Sequence, residues 1–176
     1  SAVVDYTSGT TSANLLFRYT VVEDHTDSAA LDVSSIAANS GNIEDAFDND
    51  FSTTMTGGDL GAVVVDADTP DITGCAATAG TYNIGDAIDI TCTFDSAVDV
   101  TGTPQITLSN SAVVDYLSGT ASANLVFRYT IAEGHTDSAA LDVSSIAANG
   151  GSIQDAADND FSTTMTGGDL GAVVVD

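Results

Sequence analysis

A chain of 176 residues with 43% hydrophobic side chains has enough apolar material for one to two domains and is not disordered by composition. Its formal charge of −24, from 26 acidic residues against two arginines and no lysine, excludes the basic patches that bind nucleic-acid phosphate and disfavours anionic membrane surfaces. No run of 18 apolar residues is present to span a bilayer, and no basic segment followed by an apolar one opens the sequence, so a secreted parent is expected to carry its signal elsewhere.

Gly, Thr, Ser, Ala, Val and Asp dominate, the vocabulary of short strands joined by turns. Residues 1–66 align without a gap on residues 111–176, and 56 of the 66 positions are identical. A period of 110 residues is too long for a solenoid turn and right for a β-sandwich domain. The expected organisation is tandem repeats of about 110 residues. Residues 67–176 form one complete repeat, and residues 1–66 form the C-terminal part of another. Lacking counterparts of residues 67–110, that part cannot close a core alone. Upstream chain or a neighbouring protomer is expected to complete it.

The acidic segment 66–71 (Asp-Ala-Asp-Thr-Pro-Asp) comes where one repeat hands over to the next, and Pro70 stiffens it. Strands are expected at 72–77, 88–94, 103–109, 112–117, 125–131, 141–146 and 170–175. Ile88, Ile90, Cys92 and Phe94 alternate with Asp89, Thr91 and Thr93, as Leu125, Phe127, Tyr129 and Ile131 alternate with Val126, Arg128 and Thr130. Turn signals at 79–80, 85–86, 118–119, 149–151 and 167–168 separate them. Residues 141–148 also fit a helical turn. About seven short strands at this spacing predict an all-β, Ig-like Greek-key β-sandwich. Cys75 and Cys92 have 16 residues between them, a spacing that fits no zinc motif. An antiparallel pairing centred near 83–84 sets them opposite each other, which favours a disulfide over two buried thiols.

The succession TYNIGDAIDITCTF, DVTGTPQITL, DYLSGTASANLVFRYTIAEGHTD and GSIQDAADND resembles the Ig-like or cadherin-like repeats of giant bacterial cell-surface proteins, the SWM-type repeat. The resemblance spans 67–176, with 1–66 as a truncated copy. It implies a β-sandwich, tandem linkage and an exported location, and no catalytic residues. The cysteine pair departs from the usual pattern of that family.

Calcium takes six to eight oxygens, and two acidic sets are candidate ligands. One is Asp66, Asp68 and Asp71, where a bound ion would fix the angle between repeats; the plain alternative is a solvated linker. The other is Asp155, Asp158 and Asp160, repeated as Asp45, Asp48 and Asp50; it lacks the spaced ligands and closing Glu of an EF-hand, and the alternative is a turn whose carboxylates bond their own backbone. The stretch 133–138, matching 23–28, contains Ser, His and Asp, but residues this close along one loop do not supply a catalytic triad with its oxyanion hole. Arg18 and Arg128 lie on the outward parity of a strand, where a cross-strand carboxylate is the expected partner. The threonine-rich 161–166 lacks the regular rank of an ice-binding face and reads as a polar loop or edge strand. No lysine is present for isopeptide crosslinks, and no N-x-S/T sequon, phosphate loop or zinc-hydrolase motif occurs.

The sequence is therefore read as a structural spacer repeat of an extracellular bacterial or archaeal surface adhesin or fibre, cation-stiffened at its junctions, and not an enzyme. Its expected partners are adjacent identical repeats or protomers, with no nucleic acid and no membrane insertion. Two further readings stand beside it. One is a self-assembling filament using strand complementation between protomers. The other is an adhesin module that binds a surface ligand.

Overall fold

Where apolar and polar side chains alternate, this chain forms strands. Eleven strands and no helix make up the regular structure of the described residues, 2–23 and 25–176, in this computed structural model. The chain divides into two compact units. The first, Ser1–Asp68, holds β1 (Tyr6–Ser8) and β2 (Leu16–Phe17). The second, Thr69–Asp176, holds β3 (Ile72–Ala76), β4 (Gly80–Tyr82), β5 (Ala87–Thr101), β6 (Gln105–Leu108), β7 (Val113–Ser118), β8 (Ser122–Thr130), β9 (Val143–Ala147), β10 (Ser152–Gln154) and β11 (Val173–Val175).

The second unit is built on β5. Its first half pairs antiparallel with β8 along one edge and β3 along the other, and its last three residues pair with β10. From β8 the ladder continues through β7 and β6 to β9, giving the order β10-β5-β8-β7-β6-β9 with β3 attached to β5. The two ends of that path, β9 and β10, are joined by a tight turn in which the Gly151 N–H donates to the Ala148 carbonyl at 2.9 Å. The sheet thus nearly closes on itself as an antiparallel barrel. β4 and β11 form a separate two-stranded parallel sheet.

Alternation decides which side chains face inward. Ile88, Ile90 and Cys92 of β5 lie opposite Tyr129, Phe127 and Leu125 of β8, and all six are buried. Ile72, Val98, Ile106, Leu141, Ile153 and Val173 complete the same core. Between Thr93 and Val98 the β5–β8 register shifts, leaving Asp95, Ser96 and Ala97 exposed while the strand bends and returns Val98 to the interior.

The expected strands are present with shifted ends, except that only 173–175 of the stretch 170–175 is paired as a strand. Residues 141–148 contain strand β9 and not a helical turn, because Ile106 and Leu108 of β6 pair with Ile146 and Val143. Gly80, expected in a turn, opens β4. β10 was not expected. Both strands have three residues, too few for a periodicity to register, and both depend on partners distant in sequence.

The first unit repeats the local pattern at the 110-residue offset. Tyr6 pairs with Phe17 and Ser8 with Leu16, as Tyr116 pairs with Phe127 and Ser118 with Val126, with the register shift at the same place. The bridges Ser28–Val65, Asp32–Asp59 and Glu44–Asp50 match Ser138–Val175, Asp142–Asp169 and Gln154–Asp160. Gly9 and Gly119 share a φ of about 120°, and a Cβ there would fall on the Asn14 or Asn124 carbonyl, at 2.1 and 2.0 Å. The core differs. Phe17 is 37% exposed where Phe127 is 0%, and Leu60 is 46% exposed where Leu170 is 5%. Among the described residues of the first unit, Val65 and Ala67 are the buried ones.

This asymmetry predicts unequal mutational costs. Phe127→Ala should lower the stability of the second unit by about 3–5 kcal/mol, as expected of a buried aromatic, whereas Phe17→Ala should leave the main urea transition within about 0.5 kcal/mol of the parent. Equal shifts for the two variants in urea unfolding would contradict the difference in packing.

Candidate functional site

The acidic segments are the first place to look for chemistry. Asp155 opens a loop whose N–H groups need acceptors. Its Oδ1 accepts from the Ala157 N–H at 2.8 Å and the Asn159 N–H at 2.9 Å, and its Oδ2 accepts from the Asn159 side-chain amide at 2.9 Å. Asp158 sits at φ 66°, the left-handed corner that such a turn requires. The copy is the same: Asp45 accepts from the Phe47 and Asn49 N–H groups and from the Asn49 amide, with Asp48 at φ 62°. The Asn49 side-chain bond, helped by the two backbone N–H groups, holds the Asp45 carboxyl below its ordinary range against a small opposing effect of burial. Asp160 and Asp50 lie across the loop, bridged to Gln154 and Glu44. The geometry is therefore that of a self-bonded turn.

Of the linker set, Asp66 and Asp68 belong to the first unit and Asp71 to the second. Within the first, the Asp66 Oδ1 accepts from the Asp68 N–H at 3.4 Å. Within the second, Asp71 and Asp95 clasp each other through the backbone. The Asp71 N–H donates to the Asp95 carboxylate and the Asp95 N–H to the Asp71 carbonyl, both at 3.0 Å. Among the described residues, no group of three or more His, Cys, Asp or Glu side chains is arranged to hold a metal ion.

The clasp borders an open cleft of about 470 Å³, lined by Asp71, Ile72, Thr73, Asp95, Ser162, Thr164 and Thr166. The threonine-rich segment reaches it by running along the free edge of β3. The Ser162 N–H donates to the Pro70 carbonyl, the Thr166 hydroxyl to the Ile72 carbonyl, and the Cys75 N–H to the Gly167 carbonyl. Carboxylates and hydroxyls in one cleft suit a hydroxyl-rich ligand or a hydrated cation. The sequence singled out Asp71 and the stretch 161–166 but neither Asp95 nor the approach of these segments, which depends on the bend in β5 and on the path of residues 162–167.

Ser138, His135 and Asp137 are not joined in a relay. The Ser138 hydroxyl donates to the Ala140 carbonyl at 2.8 Å. The His135 Nδ1 accepts from the Ala132 N–H at 3.1 Å and bonds the Tyr129 hydroxyl at 2.9 Å, with the rings stacked at 5.3 Å. Asn110 closes the arrangement by donating to the Tyr129 hydroxyl and the Thr136 carbonyl. The first unit keeps the Tyr19–His25 bond and stack. Asp24, inside the matching stretch 23–28, lies outside the described residues.

Two cross-strand contacts fix β5. The disulfide joins Cys75 to Cys92, which are register partners on β3 and β5. Arg128 and Asp89 are register partners on β8 and β5. The guanidinium Nε and an Nη donate to the two carboxylate oxygens at 2.6 and 2.8 Å. The Arg128 hydrogen bond holds the Asp89 carboxyl below its usual range despite slight burial. Arg18 makes no ion pair among the described residues.

Compared with protein-family models, curated proteins and solved structures, the chain matches none.

Two measurements follow. A carboxyl whose pKa is lowered on folding stabilises above its unfolded value, near 3.9, and that stability is lost as pH falls through the folded value. Asp89→Asn should therefore lower the melting temperature slightly at pH 7, with the gap to the parent closing below about pH 4; a gap that persists in acid would assign the effect to packing. Reduction of the disulfide should cost about 3 kcal/mol by the loop-entropy model while leaving the β circular-dichroism spectrum in place. Two free thiols by mass spectrometry in native protein would contradict the pairing.

Proposed function

We propose that this chain is a segment of a tandem array of Ig-like Greek-key β-sandwich repeats, serving as structure and spacing on the outside of a bacterial or archaeal cell. The observation that carries this reading is the duplicated half-domain. The same turns, bridges and register shift recur at an offset of 110 residues. Strands β5 to β8 lie in the spatial order β5-β8-β7-β6, a Greek-key arrangement, which supports the sandwich reading. The disulfide favours an oxidising exterior.

A spacer needs stable, repeated, rigidly joined units and no chemistry of its own. His135, Ser138 and the Asp45 and Asp155 carboxylates are engaged in local loop contacts, which suits that duty. The cell-surface setting also suits the charge: an acidic surface stays soluble and non-adherent in a salty medium.

The native polypeptide decides between this reading and its rivals. It should be several times 110 residues long and released from intact cells by protease shaving. A native chain of 176 residues retained inside the cell would overturn the proposal. Calcium stiffening of the junctions is tested separately by melting. Calcium should raise the melting temperature more than sodium chloride of equal ionic strength, because a bound ion adds ligand linkage to screening. Equal effects of the two salts would reduce calcium to a counterion.

A further inference from the structure

The first unit carries the side chains that face inward in the second unit but leaves them partly exposed. Leu15, Phe17, Val21, Val33, Leu60 and Val63 are all more than a third exposed, whereas their equivalents Leu125, Phe127, Ile131, Val143, Leu170 and Val173 are buried. The second unit shows what does the covering. β5 lies along β8, β6 lies between β7 and β9, and both strands come from residues 67–110, the stretch with no equivalent in the first unit.

Three finer details point the same way. Arg128 is held by Asp89 of that stretch, and Arg18 makes no ion pair among the described residues. Tyr129 receives the amide of Asn110, also from that stretch, while Tyr19 keeps just the histidine half of the arrangement. A Cβ on Gly151 would fall 2.0 Å from the Thr101 carbonyl at the end of β5. On the equivalent Gly41 the nearest atom is the Ala38 carbonyl at 3.2 Å, so the slot that β5 fills is open.

We propose that the open face of the first unit docks a four-strand segment of the 67–110 type, supplied by the chain upstream of it; this rests on the array reading. The occupant presents an apolar strand equivalent to β5 to β2, an aspartate to Arg18 and an asparagine to Tyr19. A second copy of this chain does not serve. Each copy has two half-domains of the 111–176 type and one covering segment. A copy that lends its own segment opens its own core, so the number of open faces in any assembly of identical chains is unchanged.

The test fuses a further copy of residues 67–110 ahead of Ser1 in the full chain and follows backbone amide exchange. Exchange across residues 15–19 and 33–37 should slow by roughly a hundredfold or more, toward the rates of 125–129 and 143–147. In the fusion, Phe17→Asp and Gly41→Ala should each abolish that protection while the second unit stays protected. In the unfused chain both should leave the exchange pattern as it was. If the added segment forms its cysteine pair and residues 1–66 exchange as before, or if protection survives both substitutions, the proposal fails. The same protection arising in the unfused chain on concentration would assign the face to a second copy and overturn the proposal. Docking in the fusion beside a native polypeptide that lacks such a segment would uphold the docking and sink the array reading instead.

Discussion

Strand β5 pairs with β3, β8 and β10; its inward residues Ile88, Ile90 and Cys92 lie beside Tyr129, Phe127 and Leu125 of β8, and Phe94 lies beside Ile72 of β3. The rest of the second unit depends on this cross-strand packing. β3 is held to β5 by ladder bonds and the disulfide, and the segment 162–167 is in turn held to β3. β10 closes the end of the barrel on the last residues of β5. Asp89 reaches Arg128 because the register that buries Ile88 and Ile90 sets those two residues opposite on the other face.

The first unit shows what such a chain keeps without that strand. Its turns, its asparagine–aspartate loop, its Tyr–His stack and the short β1–β2 ladder persist, because each closes over a short stretch of chain. The core does not, because burial needs surfaces that come from elsewhere. Six side chains left about 40% exposed forfeit burial on the order of 5 kcal/mol. A domain's whole stability is about 5–15 kcal/mol, so the loss decides whether the unit has a stable core. Local sequence sets the shape of the first unit, and non-local packing determines its stability.

Legibility followed the same division. The long alternations at 88–94 and 125–131 were plain, since a period of two over seven residues has no other reading. The β3–β5 register was also legible, because opposing Cys75 and Cys92 fixes it, although the intervening chain makes β4 and pairs with β11 in place of a tight hairpin. That the chain forms one nearly closed sheet path was not legible. It depends on β10, three residues whose partner lies about fifty residues earlier. Asp95 and its approach to the stretch 161–166 were missed for the same reason. Of the acidic candidates, Asp155 and Asp45 could be placed in turns from the repeated Asp-x-x-Asp-Asn-Asp, but not which oxygen takes which N–H.

The turns also account for part of the charge. Asp32, Asp45, Asp59, Asp142, Asp155 and Asp169 each accept a backbone N–H at a loop, Asp86 does so just before β5, and Asp95 does so within the bend of β5. An aspartate is a strong acceptor for an otherwise orphaned N–H, so a fold made of short strands and many turns gathers negative charge as a by-product of its hydrogen bonding. Copying the unit copies the charge. A cation that binds these loops must then compete with backbone N–H groups for the same oxygens. Aspartates that merely follow one another in sequence meet this competition wherever they cap a turn, as Asp155 and Asp45 do.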